Sequence, residues 1–489
     1  MRPTSLRLPL VALALAAALF LVPQAGAGDA YGSKVDSLVA TLTENAVKKG
    51  ENPELQVIVF GRDLPEAAER AGGKARRKLK LVGGESVKIK AKDLDKLAAQ
   101  DDVTYVAPDL PVVPTGLLSQ PSLSTLATFY PQVIGAPTAW NGGLTGAGIG
   151  IAVLDSGVAA VPDFGGRLVQ VQLPGQTAPA GDAYGHGTFV AGVAAGSSAD
   201  GRYRGVAPGA TVYGLNVSAA DGLHTSYVIA GLDWVLANAA QHNIRVVNIS
   251  LSENVESSYL SSPLDTAVER LWRSGIVVVA SSGNRGPGTA LYAPGNDPFV
   301  ITVGSTDSND TATTTDDTVA SFTSSGVTLD GFSKPELLAP GRHIASTLPA
   351  GTTLAQLAPL QNLIEPGYAL ISGTSFSAPQ VAGAAADLLQ QHPSWTPDQV
   401  KWLLSQTART VAGTTAGELD LAAAAAFAAS PGFANQGLVP TTYGLSGSTT
   451  TDYTSATWNS ATWNSATWNS ATWNSATWNS ATWNAAAWD

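Results

Sequence analysis

From residue 146 onward, short apolar runs alternate with longer segments of helical period, and this alternation restricts the fold more than any other feature of the chain. Residues 149–154, 211–217, 244–250, 276–281 and 299–303 are strand-length runs rich in Val, Ile and Leu. Residues 226–241, 264–274, 381–391 and 396–407 carry apolar positions at helical spacing. Strands that are apolar on both faces are buried between helix layers. The expected fold class is therefore α/β, a doubly wound, mostly parallel sheet flanked by helices. In such sheets reactive side chains gather beyond the carboxyl ends of the strands.

The chain in front of this region is built differently. Residues 1–27 begin with Arg2 and Arg7, continue through an uncharged apolar run at 8–22 and close on Ala25-Gly26-Ala27, the pattern of a secretory signal peptide cut after Ala27. That run is short of the roughly 20 residues that span a bilayer, and no later stretch is long and apolar enough, so no membrane span is expected. An exported chain with no cysteine holds itself together without disulfides. Residues 28–115 balance 14 basic against 14 acidic side chains, whereas from 116 onward 11 basic residues face 24 acidic ones. An acidic body of this kind argues against nucleic acid as a partner.

Within residues 28–115, helical patterns at 33–48 and 91–100 and strand patterns at 54–60, 76–82, 85–89 and 103–106 make a small α+β unit. Pro108, Pro111, Pro114 and Pro121 punctuate an aperiodic stretch that reads as exposed linker, open to proteolysis. The chain thus divides into a signal peptide (1–27), the small unit (28–115), a linker (116–130), the α/β body (131–430) and a low-complexity tail (431–489). The tail holds six consecutive copies of Ser-Ala-Thr-Trp-Asn at 455–484. A period of five gives no continuous aromatic stripe on a strand or a helix. The repeats fit a loosely ordered tail as well as they fit aromatic contact with a cell wall, a polysaccharide or one another.

Four runs carry chemistry. Gly373-Thr374-Ser375-Phe376-Ser377-Ala378-Pro379 leads into an apolar helical segment at 381–389, which places Ser375 near a helix start. There, unpaired N–H groups and the helix dipole favour an anion forming beside the hydroxyl. Simple N-capping by Thr374 or Ser375 is the plain alternative. Asp155 closes the apolar run 151–155, His186 stands between two glycines before a small-residue segment, and Asn284 follows the run 277–281 and a Ser-Ser-Gly turn. A serine hydroxyl needs a base to take its proton. An imidazole base needs a carboxylate to fix its tautomer, and the oxyanion that forms needs hydrogen-bond donors.

In this order, Asp155-Ser156-Gly157, His186-Gly187-Thr188, Ser282-Gly283-Asn284 and Gly373-Thr374-Ser375-x-Ser377-Ala378-Pro379 resemble the subtilisin-like serine proteases. The resemblance runs from about residue 131 to 429 and includes Gly205-Val206-Ala207-Pro208 and Lys334-Pro335-Glu336-Leu337-Leu338-Ala339-Pro340-Gly341. It implies a triad of Asp155, His186 and Ser375, with Asn284 and the Ser375 N–H as oxyanion donors. It further implies Ser250, Leu251 and Ser252 as the edge that pairs with an extended peptide, and Ala280, Ser281, Ser282 and Gly283 as the wall of the pocket for the residue before the scissile bond. Residues 28–109, through Glu85-Ser86-Val87-Lys88-Ile89-Lys90, resemble the family's propeptide, an intramolecular inhibitor released by a cut in the linker.

Phe189, Phe376 and the pair Ser252-Glu253 depart from the commonest family wording, and a side chain at 252 and a carboxylate at 253 are expected either to narrow the cleft or to favour basic substrate residues. Asp316-Asp317 is a candidate calcium ligand pair that reads better as solvated loop acids. The resemblance implies a secreted, self-processed serine endopeptidase acting on protein or peptide substrates with no organic cofactor or catalytic metal, any structural calcium being without an assignable site. The rival reading is an inactive protease-like binding protein held at the cell surface by its Trp-rich tail.

Overall fold

The computed structural model describes residues 34–110, 112–114, 116–117, 128–174, 181–219, 222–358, 362–441, 477–478 and 481–482. The signal-peptide reading and most of the repeat tail lie outside these residues. The chain separates into two compact units, Met1–Arg76 with Glu85–Pro108 and Arg77–Gly84 with Asp109–Asp489.

The N-terminal elements are α1 (Ser37–Lys48), β1 (Glu54–Gly61), α2 (Leu64–Arg70), β2 (Lys74–Leu79), β3 (Gly84–Lys90), α3 (Leu94–Ala98) and β4 (Val103–Pro108), with the strands in the order β2-β3-β1-β4. Val57 and Val59 of β1, Val87 and Ile89 of β3, and Leu94 and Leu97 of α3 share one buried core. Asp36 starts α1 by accepting the Leu38 N–H at 2.9 Å. Two differences from the sequence reading have local causes. The helix α2 begins with proline inside its first turn, which hides its start. The run 76–82 is not one strand, because after Leu79 it tightens into a 3₁₀ turn closed by Gly83 at φ 66°.

The second unit opens with two short strands, β5 (Val112–Pro114) and β6 (Gly116–Leu117). There follow β7 (Gly150–Asp155), β8 (Leu168–Val171), α4 (His186–Ala195), β9 (Thr211–Asn216), α5 (Thr225–His242), β10 (Ile244–Ile249), β11 (Leu251–Glu253), α6 (Pro263–Arg273), β12 (Val277–Ser281), β13 (Ile301–Asp307), β14 (Leu337–Pro340), β15 (Tyr368–Gly373), α7 (Thr374–Gln391), α8 (Pro397–Thr407) and β16 (Gly417–Glu418). The main sheet runs β16-β14-β13-β12-β10-β7-β9-β8 with these neighbours parallel, as expected from the alternation of runs. Every residue of β7, β10 and β12 is buried, the signature of strands covered on both faces.

Helix α7 lies along β10, β12 and β13, and its residues from Thr374 through Leu389 are all buried. Such a helix needs small side chains to come close to its neighbours. A Cβ on Gly383 would stand 2.7 Å from Val206 Cβ and 3.0 Å from the Ala194 carbonyl of α4. The proline-punctuated stretch is not all exposed linker. β5 pairs antiparallel with β11, and β6 pairs antiparallel with β15.

Asp317 departs from the reading of solvated loop acids. Asp316 is exposed, but Asp317 is 6% exposed and lies against the Glu418 carboxyl of β16. Burial, followed by the neighbouring Glu418, pushes its pKa up to about 8. A carboxyl whose folded pKa is raised stabilises the fold in its protonated form, fully below the unfolded value and no longer once pH has risen through the folded value. The Tm of the wild type is therefore expected to fall between pH 6 and pH 9.5 by more than that of Asp317→Asn. Equal slopes in a pH series of melting curves would remove the raised Asp317 pKa from the account.

Candidate active site

Asp155 ends β7 fully buried, and His186 is the first residue of α4. The His186 Nδ1 lies 2.8 Å from Asp155 Oδ1 and 2.9 Å from Oδ2, so it carries the proton and donates it to the carboxylate. This contact depends on Gly187, where a Cβ would fall 2.1 Å from the Gly157 carbonyl and 2.9 Å from Asp155 Cβ. Only a residue without a side chain lets the helix start approach the strand end so closely.

A second carboxylate supports the first. Asp182 Oδ1 accepts from the Gly185 N–H at 2.6 Å and the Ser156 hydroxyl at 2.8 Å, while Oδ2 accepts from the Thr188 N–H at 2.8 Å and its hydroxyl at 2.6 Å. Asp182 thus caps the helix that presents His186, and Ser156 links it to Asp155, whose Oδ1 also accepts the Ser156 N–H at 2.7 Å. Burial, together with the charge of Asp155, raises the Asp182 pKa, and the bonds from Thr188 and Gly185 oppose that rise.

Helix α7 starts at Thr374 rather than near 381, so Ser375 sits in its first turn, where backbone N–H groups have no acceptor within the helix. Pro379 lies inside the helix and has no N–H to give to the carbonyl four residues earlier, which is that of Ser375. Ser250 fills the gap by donating its hydroxyl to the Ser375 carbonyl at 2.8 Å. In return the Ser375 hydroxyl donates to the Ser250 carbonyl at 3.3 Å. His186 Nε2 is buried without a hydrogen-bond partner among the described residues, and the imidazole lies 5.6 Å from the ring of Phe376, the residue after the serine. In this arrangement the Ser375 hydroxyl is directed at the Ser250 carbonyl and not at Nε2.

Asn284 is aimed by Thr374. The Thr374 N–H and hydroxyl donate to Asn284 Oδ1 at 3.0 and 3.1 Å, and the Gly283 N–H donates to the same hydroxyl at 3.1 Å. With the amide oxygen occupied, Nδ2 remains as the donor for a ligand. The first turn of α7, the Asn284 amide and the His186 imidazole belong to three distant stretches of sequence that meet beyond the ends of β7, β10 and β12.

The model of the subtilase family matches residues 146–444. The chain belongs to the subtilase family.

Among relatives of this subtilase, the serine protease AprX of Bacillus subtilis (strain 168) is 39% identical over 271 residues, 53% of this chain and 61% of its own length. Subtilisin E of the same organism is 34% identical over 348 residues, covering 69% and 78% of the two chains. The crystal structure of fervidolysin from Fervidobacterium pennivorans, a keratinolytic enzyme related to subtilisin, superposes with a TM-score of 0.63 at 26% identity, covering 78% of this chain and 62% of that one. The match to AprX and to fervidolysin thus spans less than two thirds of either relative.

In this subtilase Ser250 joins β10 to β11, Leu251 and Ser252 lie in β11, Ala280 and Ser281 end β12, and Ser282 and Gly283 form the turn before Asn284. The expectation that Glu253 offers a free charge to basic substrate residues is not met. The side chain is buried, and its Oε1 accepts the Thr225 hydroxyl at 2.7 Å. Arg285, the residue after Asn284, is tied to this edge instead, donating to Ser252 Oγ at 3.3 Å and to the Glu253 carbonyl at 3.1 Å. Phe189 and Phe376 form a buried, tilted ring pair with centroids 4.6 Å apart, so both departures from the common wording serve packing behind the histidine.

Three contributors escaped the sequence reading: Asp182, Thr374 as the orienter of Asn284, and Ser250 as the partner of the Ser375 carbonyl. An acidic residue four positions before a glycine-flanked histidine is a helix-cap signal that points to the first. Among the described residues no group of three or more His, Asp or Glu side chains converges as a metal site would require. Asn284→Ala is expected to lower kcat by about 10²–10³, the range found for the corresponding donor of subtilisin, with KM nearly unchanged. Steady-state kinetics on a chromogenic peptide measures it, and a change under fivefold would remove the amide from the oxyanion site.

Proposed function

We propose that this chain is a serine endopeptidase that hydrolyses peptide bonds through an acyl-enzyme. Ser375 is the nucleophile and His186 the general base and acid. Asp155 holds the histidine tautomer, and Asn284 with the Ser375 N–H binds the oxyanion. The observation that carries this reading is the His186 Nδ1 set 2.8 and 2.9 Å from the Asp155 carboxylate beside a helix whose first turn holds Ser375. β11 supplies an edge for an extended peptide. Pairing through backbone groups gives affinity with little demand on sequence, and Ala280, Ser281, Ser282 and Gly283 wall the pocket for the residue before the cut bond. Residues 1–27 direct export, residues 28–115 serve as a removable inhibitory segment, and the repeat tail contacts the cell surface. Among the described residues no helix is long and apolar enough to cross a membrane.

A fluorophosphonate probe tests the reaction. One adduct on Ser375, with parallel loss of peptide hydrolysis, is expected. An unlabelled but folded chain that hydrolyses nothing would favour the protease-like binding protein.

A further inference from the structure

The charge presented at the proposed substrate edge is positive, and Arg285 carries it. Its guanidinium touches both surfaces assigned to a substrate. At the edge, Nη1 donates to Ser252 Oγ of β11 at 3.3 Å and Nη2 donates to the Glu253 carbonyl at 3.1 Å. At the pocket wall, the same Nη1 would stand 3.4 Å from a Cβ placed on Gly283, so it lies over the last residue of the run 280–283. An extended chain already pairs with this edge, since Val113 of β5 lies opposite Ser252. A peptide held along β11 therefore runs past the residue whose hydroxyl holds the guanidinium.

Arg245 shows what a purely structural arginine looks like in this fold. It is 3% exposed, and its Nε, Nη1 and Nη2 donate to the carbonyls of Gly275, Pro393 and Trp395. Arg285 differs in three respects. It is exposed, and two of the five N–H groups of a guanidinium are engaged by the bonds to Ser252 and Glu253. Its plane is fixed, because Cζ lies 3.8 Å from the centroid of the Tyr292 ring. It also lacks an anion: among the described residues no Asp or Glu side chain is paired with it, and Tyr292 is the one ionisable group close enough to act on its charge. Glu253 meets it through the backbone carbonyl, while the Glu253 carboxyl accepts the Thr225 hydroxyl.

A fixed cation with open donors and no partner carboxylate, set against the pocket wall, complements a carboxylate that a substrate brings. We propose that Arg285 selects peptides with glutamate or aspartate before the cut bond, the acidic side chain taking the unengaged N–H groups of the guanidinium. This rests on the proposed peptidase activity. Guanidinium and carboxylate match in plane and spacing, which favours a paired contact over a single one. A glutamine of the same shape brings no charge, and a lysine sets two cations together, so the expected order of substrates is Glu, Gln, Lys.

The test uses the full chain and three peptides identical except for Glu, Gln or Lys at one position, with the cut after that position followed by mass spectrometry. The wild type is expected to show a kcat/KM for Glu about tenfold or more above that for Gln, the scale by which a charge-assisted hydrogen bond exceeds a neutral one. In Arg285→Gln this ratio is expected to fall to about one, and in Arg285→Lys, which keeps the charge without the fork, to lie between the two. Both substrates are read on the same sample, so the ratio does not depend on how much of a variant has folded. A wild-type ratio below about twofold, an Arg285→Gln chain that keeps the wild-type ratio, or an Arg285→Lys chain no more selective than Arg285→Gln would each overturn the assignment. Cutting of the Gln and Lys peptides without preference for Glu leaves the peptidase standing and removes only the role of Arg285, whereas a wild-type chain inert towards all three removes both.

Discussion

Ser375→Ala is expected to reduce peptide hydrolysis by about 10⁶-fold in kcat, the scale recorded when the nucleophile of subtilisin is removed. The substitution deletes Oγ, the only atom able to form the acyl bond, and leaves the backbone N–H and the helix start in place. Ser375 is fully buried, and the removal of its hydroxyl gives up the 3.3 Å bond to the Ser250 carbonyl while the side chain stays the size of alanine's methyl, so the fold is expected to be kept. KM for a peptide is expected to stay within about threefold of wild type, because β11 and the pocket wall are untouched. The same variant is expected to remain uncut in a protease-free preparation. Intact mass together with stopped-time peptide assays reads both effects. A variant retaining more than a hundredth of wild-type activity would show that another group performs the attack.

Asp155→Asn is expected to cost about 10⁴-fold in kcat without unfolding the chain, a loss of the size seen for the equivalent change in a serine protease of unrelated fold. The reason is in the contacts. Asp155 Oδ1 is tied to the Ser156 N–H at 2.7 Å, so an asparagine keeps its oxygen there and turns its NH₂ to the Oδ2 position, 2.9 Å from His186 Nδ1. Nδ1 also lies 2.8 Å from Oδ1, but the new NH₂ donor at 2.9 Å opposes an N–H there, so the balance is expected to shift towards the tautomer protonated on Nε2, in which the base lacks the lone pair it needs for the serine. Near-UV circular dichroism is expected to be unchanged, and single-turnover kinetics to show slowed acylation. A loss below tenfold would mean that the carboxylate does not set the tautomer.

Much of the site was legible because each reactive side chain carries local marks. Asp155 follows an apolar strand, His186 has glycine on both sides, and Asn284 and Ser375 each follow a glycine turn. Those glycines have a physical cause that the structure makes visible, as at Gly187, where any side chain would strike the Gly157 carbonyl at 2.1 Å. Asp182 was less legible because its partners, Thr188, Gly185 and Ser156, identify it as a cap only once α4 is in place. Pro379 hid the true start of α7, since a proline within a helical run ordinarily signals a boundary. Asp317 looked solvated because nothing near it in sequence reveals Glu418, which arrives from β16 about a hundred residues later.

The linear order of apolar runs and helical segments determined the layered parallel sheet, because burial on both faces leaves strands of that composition no other arrangement. Glycine placement determined where reactive side chains could emerge. Tertiary structure alone decided how those side chains are supported: Ser250 supplies the hydrogen bond that Pro379 withholds from Ser375, and Thr374 occupies one side of the Asn284 amide so that the other is free to donate. It also decided that residues 112–114 and 116–117 form ladders instead of open linker. A backbone donor can be satisfied by any acceptor that folding brings within reach, and which one arrives depends on the packing of distant strands, not on the neighbours along the chain.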